Sequence, residues 1–328
     1  MNWKGLIALL WNERGSVTVD QAWVARFHDV LLLTYQQMGS LLEGLIDPGM
    51  VHRDVSAAID HHERLGNVMA NDVVDPFGPV KILNPEHSRR AVILQSSDAA
   101  MLVSDEHILR SMTNPQNGYT RTIVGAMGRR ADKHIIDAAL GSAMTAAVTS
   151  GTGVITYGSQ ALPSARKIGD ATAMDLLRII SSNELLSKSG VPTGPSNRVM
   201  LYSPGQIRDI MAITQASSSD FTKNQIHDRG TINGLDWEGY HWTEMVDVVA
   251  IDGSTVLGRM LPLVSTTRSC IAFHRGCIGL SIGRPVGAPQ IDPRPDLQSR
   301  PLQIRQAMMQ SAVRVFEGGV VQVDALEN

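Results

Sequence analysis

"NPQNGYTRTIVGAMGRRADKHIIDAALGSA", residues 114 to 143, decides the fold. Asn114, Pro115, Asn117 and Gly118 supply turn signals at its start, and no further proline interrupts the chain before Gly151. A helix over that span would be ~45 Å long at 1.5 Å per residue, longer than a small domain is wide. Ile123, Met127, Ile135, Ile136, Ala139, Leu140, Ala143, Met144 and Ala147 keep largely to helical spacing. Arg129, Lys133 and Asp137 are left at successive i, i+4 steps on another face. The stretch predicts a long spine helix with an ionisable stripe. Asp132 and His134 invite a metal or acid–base reading, but two residues apart on a helix they diverge. Only His134 with Asp137 meets the i, i+3 rule, and two ligands hold a metal poorly. A solvated face, with no catalytic role for Asp132 or His134, is the expectation.

On the N-terminal side, Ala22 to Leu45 is proline-free with apolar residues at helical and mixed spacing, and predicts a mostly helical arm. The character changes from Asp47 to about Ser111. "DPG", "DPFGP" and "NPE" are turn signals, and the runs "DVV", "PVKIL" and "RRAVILQ" between them favour short strands. That pattern predicts a long hairpin-like excursion with too little apolar content for a core of its own. An isolated hairpin is marginal in water, so other parts of this chain or a neighbouring copy must cover it. Within it, "DHHERLG" at 60–66 predicts a polar loop or helix end. Adjacent His61 and His62 diverge, so at most one joins a site unless the chain folds back.

On the C-terminal side, Thr172 with Asp175 opens a second helix that stops at Gly190 and Pro192, and Ser203, Pro204 and Gln206 open a third. Beyond it the period turns to two, with hairpin turns predicted at Asn233-Gly234, Asp252-Gly253 and Arg275-Gly276. A proline-rich break from Gly283 to Pro301 precedes a tail with two alternating runs around Gly318-Gly319, read as a hairpin returning to earlier strands.

The 328 residues suffice for a large apolar core. With Lys+Arg 29 against Asp+Glu 32, the formal charge of -3 supplies no global basic field for gripping nucleic acid. Cys270 and Cys277 form no zinc-binding or disulfide pattern. The opening "MNWKGLIALLWNERGS" lacks a signal-peptide layout, and no run reaches the ~18 apolar residues of a membrane span, so a soluble chain is expected. "GTGVITYGS" at 151–159 follows a helix, the reverse of a phosphate cradle, and reads as a flexible turn. No catalytic motif stands out, and neither a cofactor nor a metal is expected. Arg89 and Arg90 beside "AVILQ" read either as gatekeepers against mispairing or as a charged contact patch.

The order of parts, with "YQQMGSLLEGL" in the arm, the spine stretch quoted above, and "QIRQAMMQSAVRVFEGGVVQVDAL" at the end, resembles the major capsid proteins of tailed bacteriophages. These share the Hong Kong ninety-seven-type shell fold with encapsulins and herpesvirus capsids, and the likeness is greatest to the short-tailed branch. The resemblance implies an α+β fold with an N-terminal arm (1–46), an extended β-hairpin loop (47–112) and a peripheral domain on the spine helix (113–200). An axial domain (201–298) and a C-terminal hairpin returning to the peripheral domain (299–328) complete it. Pentamers and hexamers of the chain would form an icosahedral head shell around double-stranded DNA, with Phe77, Lys81, Arg89, Arg90, Arg129, Lys133 and Asp137 as subunit-interface candidates. Scaffold, portal and decoration proteins are the implied partners, the scaffold as a separate protein because the N-terminal region is short. An encapsulin-type compartment and a cytoplasmic enzyme with scattered His and carboxylate groups are the rival readings.

Overall fold

In the computed structural model, which describes residues 37, 39–73, 78–103, 115–148, 154–169, 172–212, 231–298 and 300–327, the spine is helix α1, Pro115–Leu140. Its 26 residues span ~39 Å. The helix stops eleven residues short of the expected end at Gly151. Gly141 N–H donates to the Asp137 carbonyl at 2.8 Å, and a side chain on Gly141 would crowd that same oxygen. The buried Arg314 guanidinium then takes the freed carbonyls of Ala139 and Gly141, at 2.8 and 2.7 Å, where the helix end is electronegative. Ala143–Val148, expected to continue the helix, is instead strand β5, held between β3 (His87–Ile93) and β6 (Ile155–Gln160). Alanine's helical preference is worth only tenths of a kcal/mol per residue, and a ladder on each edge overrides it. The supposed flexible turn at 154–159 is largely that β6 strand.

Before the spine come β1 (Val51–His52), β2 (Ile59–Leu65), β3 and β4 (Gln95–Val103). After β6 follow β7 (Lys167–Gly169), helix α2 (Leu176–Lys188), β8 (Arg198–Tyr202) and the short helix α3 (Ile207–Met211). Next are β9 (Asp236–Trp237), β10 (Tyr240–Glu244), β11 (Val248–Val249), β12 (Val256–Gly258), β13 (Leu263–Val264) and β14 (Thr267–His274). The chain closes with β15 (Ile278–Arg284), β16 (Gln290–Pro293), β17 (Leu302–Arg314) and β18 (Val320–Leu326). The expected arm helix falls mostly on residues outside those described; its end, Glu43–Leu45, is one 3-10 turn.

Contacts divide the chain into two units. In the larger, β7-β18-β14-β8-β10-β9 form a sheet with β13 on β14. Strand alternation sends Val199, Leu201, Ile271 and Phe273 to one face, where they pack with Ile135 and Ile136 of α1. Met200, Tyr202, Cys270 and Ala272 go to the other face, under Ile179 and Leu186 of α2. Burial on both faces makes these strands continuously apolar. α2 starts at Asp175, three residues later than expected, with the Asp175 carboxylate accepting from Arg178 N–H at 2.9 Å. Ser203 and Gln206 form the expected capping box.

A second sheet of this unit pairs β1 parallel to β15, and β15 antiparallel to β17. A third runs β2-β3-β5-β6. In the smaller unit, β16 pairs with the first residues of β17, from Gln290↔Arg305 to Pro293↔Leu302, beside an Arg294–Asp296 ion pair at 2.7 Å.

Two expected hairpins are sheet switches instead. β14 and β15 flank Arg275-Gly276 without pairing, and β17 and β18 likewise flank Gly318-Gly319: β14 pairs β18, and β15 pairs β17. Both connections cross at one corner, where Val315 N–H donates to the Cys277 carbonyl at 2.8 Å. Side chains on Gly318 and Gly319 would collide with Phe316 and Cys277. The β9–β10 hairpin turns at Glu238-Gly239, both at positive φ, rather than at Asn233-Gly234. Asp252-Gly253 lies in the turn between β11 and β12 as expected. "DHHERLG", expected as a loop or helix end, is mostly strand β2, whereas the described parts of "DVV" and "PVKIL" carry no strand.

Candidate functional site

The predicted excursion is a ribbon, β2 against β3 from Ile59↔Ile93 to Leu65↔His87, forming one edge of the four-stranded sheet, with a long connection between the two strands. Gly66 N–H donates to the Glu86 carbonyl at 2.7 Å just beyond the last pair. Past that point the connection bears apolar side chains that the larger unit leaves uncovered: Met69 is 87%, Val80 90% and Ile82 85% exposed. Val68 and Val73 are also exposed, and so is Lys81, one of the interface candidates. Phe77, another interface candidate, lies outside the described residues. Single exposed apolar residues are ordinary, whereas contiguous apolar patches accompany interaction sites.

The ribbon's base is fastened. Glu317, in the corner turn, accepts from Arg64 of β2 at 2.9 Å and pairs with Arg90 of β3. Arg90 also donates to Gln160 Oε1 of β6 at 2.7 Å. The reading of Arg90 as part of a charged contact patch therefore needs correction, for its side chain is 1% exposed and bound inside its own chain. Burial lowers its pKa, and the Glu317 carboxylate works against that shift. Arg89, one residue earlier, faces outward and pairs with Glu63 directly across the ribbon at 2.7 Å.

A second fastening lies on α1. The Asp132 side chain, expected on a wet face, is fully buried and accepts four hydrogen bonds from residues 37–42. Its donors are Gln37 Nε2 and Ser40 Oγ at 2.5 Å, Leu41 N–H at 3.1 Å and Leu42 N–H at 3.0 Å. Gly128, one helical turn earlier, lets the Gly39 backbone cross so closely that no Cβ would fit. Arg129 joins the same crossing by donating to the Gln37 carbonyl at 3.2 Å. The i, i+4 partner that matters to Asp132 is thus a glycine, and a periodicity count of ionisable residues passes over it.

Of the predicted stripe, Asp137 is exposed, and Lys133 pairs with it at 3.1 Å while donating to the Met260 carbonyl at 3.1 Å. Lys133 and Arg129 are half-buried. His134 is buried rather than solvated; burial and the neighbouring Arg130 charge push its pKa down to about 4, against the opposing pull of Asp137.

Among the described residues one constellation gathers metal-ligand types, His52, Asp60 and His62, but its two imidazoles stack nearly parallel, 14° apart with centroids at 4.1 Å, so no single ion lies in both ring planes. The chain does fold back here, β1 bringing His52 beside Asp60 and His62 of β2. The Cys270 and Cys277 thiols are each pushed up to about 12 by burial, so they are protonated packing groups rather than nucleophiles.

The phage capsid protein family matches residues 19–327 of the chain. The chain belongs to that family. It is a structural protein of the virion, forming the shell from many copies, and not an enzyme. Solved structures share the mixed α+β fold at low identity. A chain from Mycobacterium phage Che8 is 15% identical at TM-score 0.62, covering 90% of this chain and 95% of its own. The capsid of Cyanophage P-SCSP1u is 11% identical at TM-score 0.64, covering 92% and 93%. The capsid of Ralstonia phage GP4 is 11% identical at TM-score 0.62, covering 92% and 95%. Among curated proteins none matches. No helix of the described residues is long and apolar enough to cross a membrane.

Proposed function

We propose that this capsid chain is the major shell subunit of a tailed phage of the short-tailed branch, tiling as pentamers and hexamers around double-stranded DNA. The single observation that carries the mechanism is the bare apolar connection of the ribbon. Met69, Val80 and Ile82 are held out on an arm whose base is riveted by Glu317, so their burial requires a surface this larger unit does not offer. A neighbouring subunit supplies it, and many such contacts around closed rings give the shell its stability although each is small. In this reading residues 1–46 are the arm, 47–112 the extended loop, 113–200 the peripheral domain, 201–298 the axial domain and 299–328 the returning segment. Lys81 and Arg89 flank the contact, and Asp137 with the outer parts of Arg129 and Lys133 meets a neighbour along the spine.

The near-neutral charge suits a shell that confines DNA without gripping its sequence. A separate scaffold, a portal and decoration proteins are the partners this role calls for. Deleting residues 70–85 is the test. Soluble capsomers or monomers by gel filtration and negative-stain microscopy are expected, and normal shells from the deletion would refute the role.

A further inference from the structure

We propose that the segment Val80–Leu83 of one copy docks in the cleft at the foot of another copy's ribbon, with Lys81 of the first meeting Glu86 of the second. The docking rests on the reading of the ribbon as an arm that reaches a neighbour, and supplies the surface that receives it. That cleft, of about 600 Å³, lies between the end of the β2–β3 pairing, the turn after α2 and the corner where the two sheets exchange strands. Val191, Cys277 and Val315 in its lining are buried. Leu65, 60% exposed, and Phe316, 39% exposed, stand in its walls, so cleft and arm are both left with apolar surface to cover. Clefts of roughly 300–1,000 Å³ enclose drug-sized ligands, and a few side chains have similar bulk.

The cleft does not hold its own arm. Leu65, Gly66 and Glu86 line it where the connection leaves β2 and returns to β3, whereas Met69, Val80 and Ile82 are absent from its lining and each is at least 85% exposed. Arm and cleft are thus separate surfaces of one chain, as a head-to-tail contact requires, and such contacts close into rings when the rotation between copies allows it. A second copy is the occupant because the shell is built from many copies of this chain. Charge selects the segment. In extended backbone Val80 and Ile82 face one way and Lys81 the other, so the apolar pair enters while the ammonium, on its flexible stem, stays at the rim. Glu86 is exposed there and has no ion-pair partner among the described residues, whereas Glu63, the other acidic residue of the lining, is taken by Arg89. Such a rim pair sets register, and burial of the apolar side chains supplies the attraction.

The test uses full chains in two pairs of single variants. Lys81 and Glu86 are exposed, so Lys81→Glu and Glu86→Lys leave the isolated chain folded. Each alone should lose most shells in light scattering and negative-stain microscopy. An equal mixture should regain them, because each chain's arm then finds a cleft of opposite charge on the other, which pairing within one chain cannot reproduce. For position, Ile82→Cys chains are co-assembled with Pro192→Cys chains, whose new thiol sits in the cleft lining, and then oxidised. A covalent dimer on a non-reducing gel is expected from the mixture and from neither chain alone. Single charge variants that assemble like the wild type, a charge mixture that stays dissociated, or cysteine chains that fail to cross-link would overturn the docking site. If deleting residues 70–85 abolishes shells while the charge mixture is not restored, the ribbon still reaches a neighbour, at another surface; normal shells from that deletion sink both readings.

Discussion

Asp132 shows how far one side chain can depart from what its spacing suggests. Counting ionisable residues along the spine puts it among solvated groups, yet four donors from residues 37–42 close over it. The signal was present in Gly128, since a glycine four residues before a carboxylate on a helix marks a face that another backbone crosses. Hydrogen bonds to charged groups contribute about 1.5–3 kcal/mol each, without simple additivity, so Asp132→Ala should destabilise the unassembled chain by at least about 3 kcal/mol in urea denaturation. Gly128→Ala should produce a loss by steric exclusion of residue 39, with Asp132 intact. His134 supplies a pH test. Its folded pKa, about 4, lies below the model-peptide 6.5, so the unfolded chain binds the extra proton first as pH falls. Its contribution is full above pH 6.5 and is lost as pH drops toward 4; at ~1.4 kcal/mol per unit the ceiling is about 3 kcal/mol. Replacing His134 by Gln should flatten the slope of stability against pH between 4 and 6.5, and an unchanged slope would mean other groups set it.

Elements were legible where local chemistry and packing agree. α2 keeps its stop at Gly190 and Pro192, the capping box at Ser203 holds, and β3 with its apolar "AVI" lies where the pattern puts it. The failures share a physical cause. Ala143–Val148 is helix-prone in composition but wedged between two ladders, and alternation on either side of Gly276 and of Gly318-Gly319 identifies strands without revealing which sheet each joins. The double crossing of β14–β15 and β17–β18 needs its glycines. Gly319→Ala should lower the thermal midpoint sharply, and Cys277→Gly in the same chain should restore part of it, because the added methyl then has room. Glu317→Gln should cost more than an exposed ion pair, about 3–5 kcal/mol, since it leaves buried Arg90 without its counter-charge.

For the molecule as a whole, the order of parts carried more than any motif, for it pointed to the phage capsid protein family that matches residues 19–327. The Asp60–His62 cluster was not legible because His52 reaches it only through strand pairing. Changing Met69, Val80 and Ile82 together to Ser should leave the unassembled chain's thermal midpoint nearly unchanged while raising the concentration needed for shells, as followed by light scattering. A fall in the midpoint instead would mean that these side chains pack within the chain. The corner turn also has a mechanical meaning. Glu317 holds both strands of the ribbon and stands at the threshold of β18, whose seven residue pairs with β14 run antiparallel along its length. Under the proposed ribbon contact, a pull by a neighbour would pass through Glu317 along β18 and strain those seven rungs simultaneously in shear, rather than peeling them one at a time.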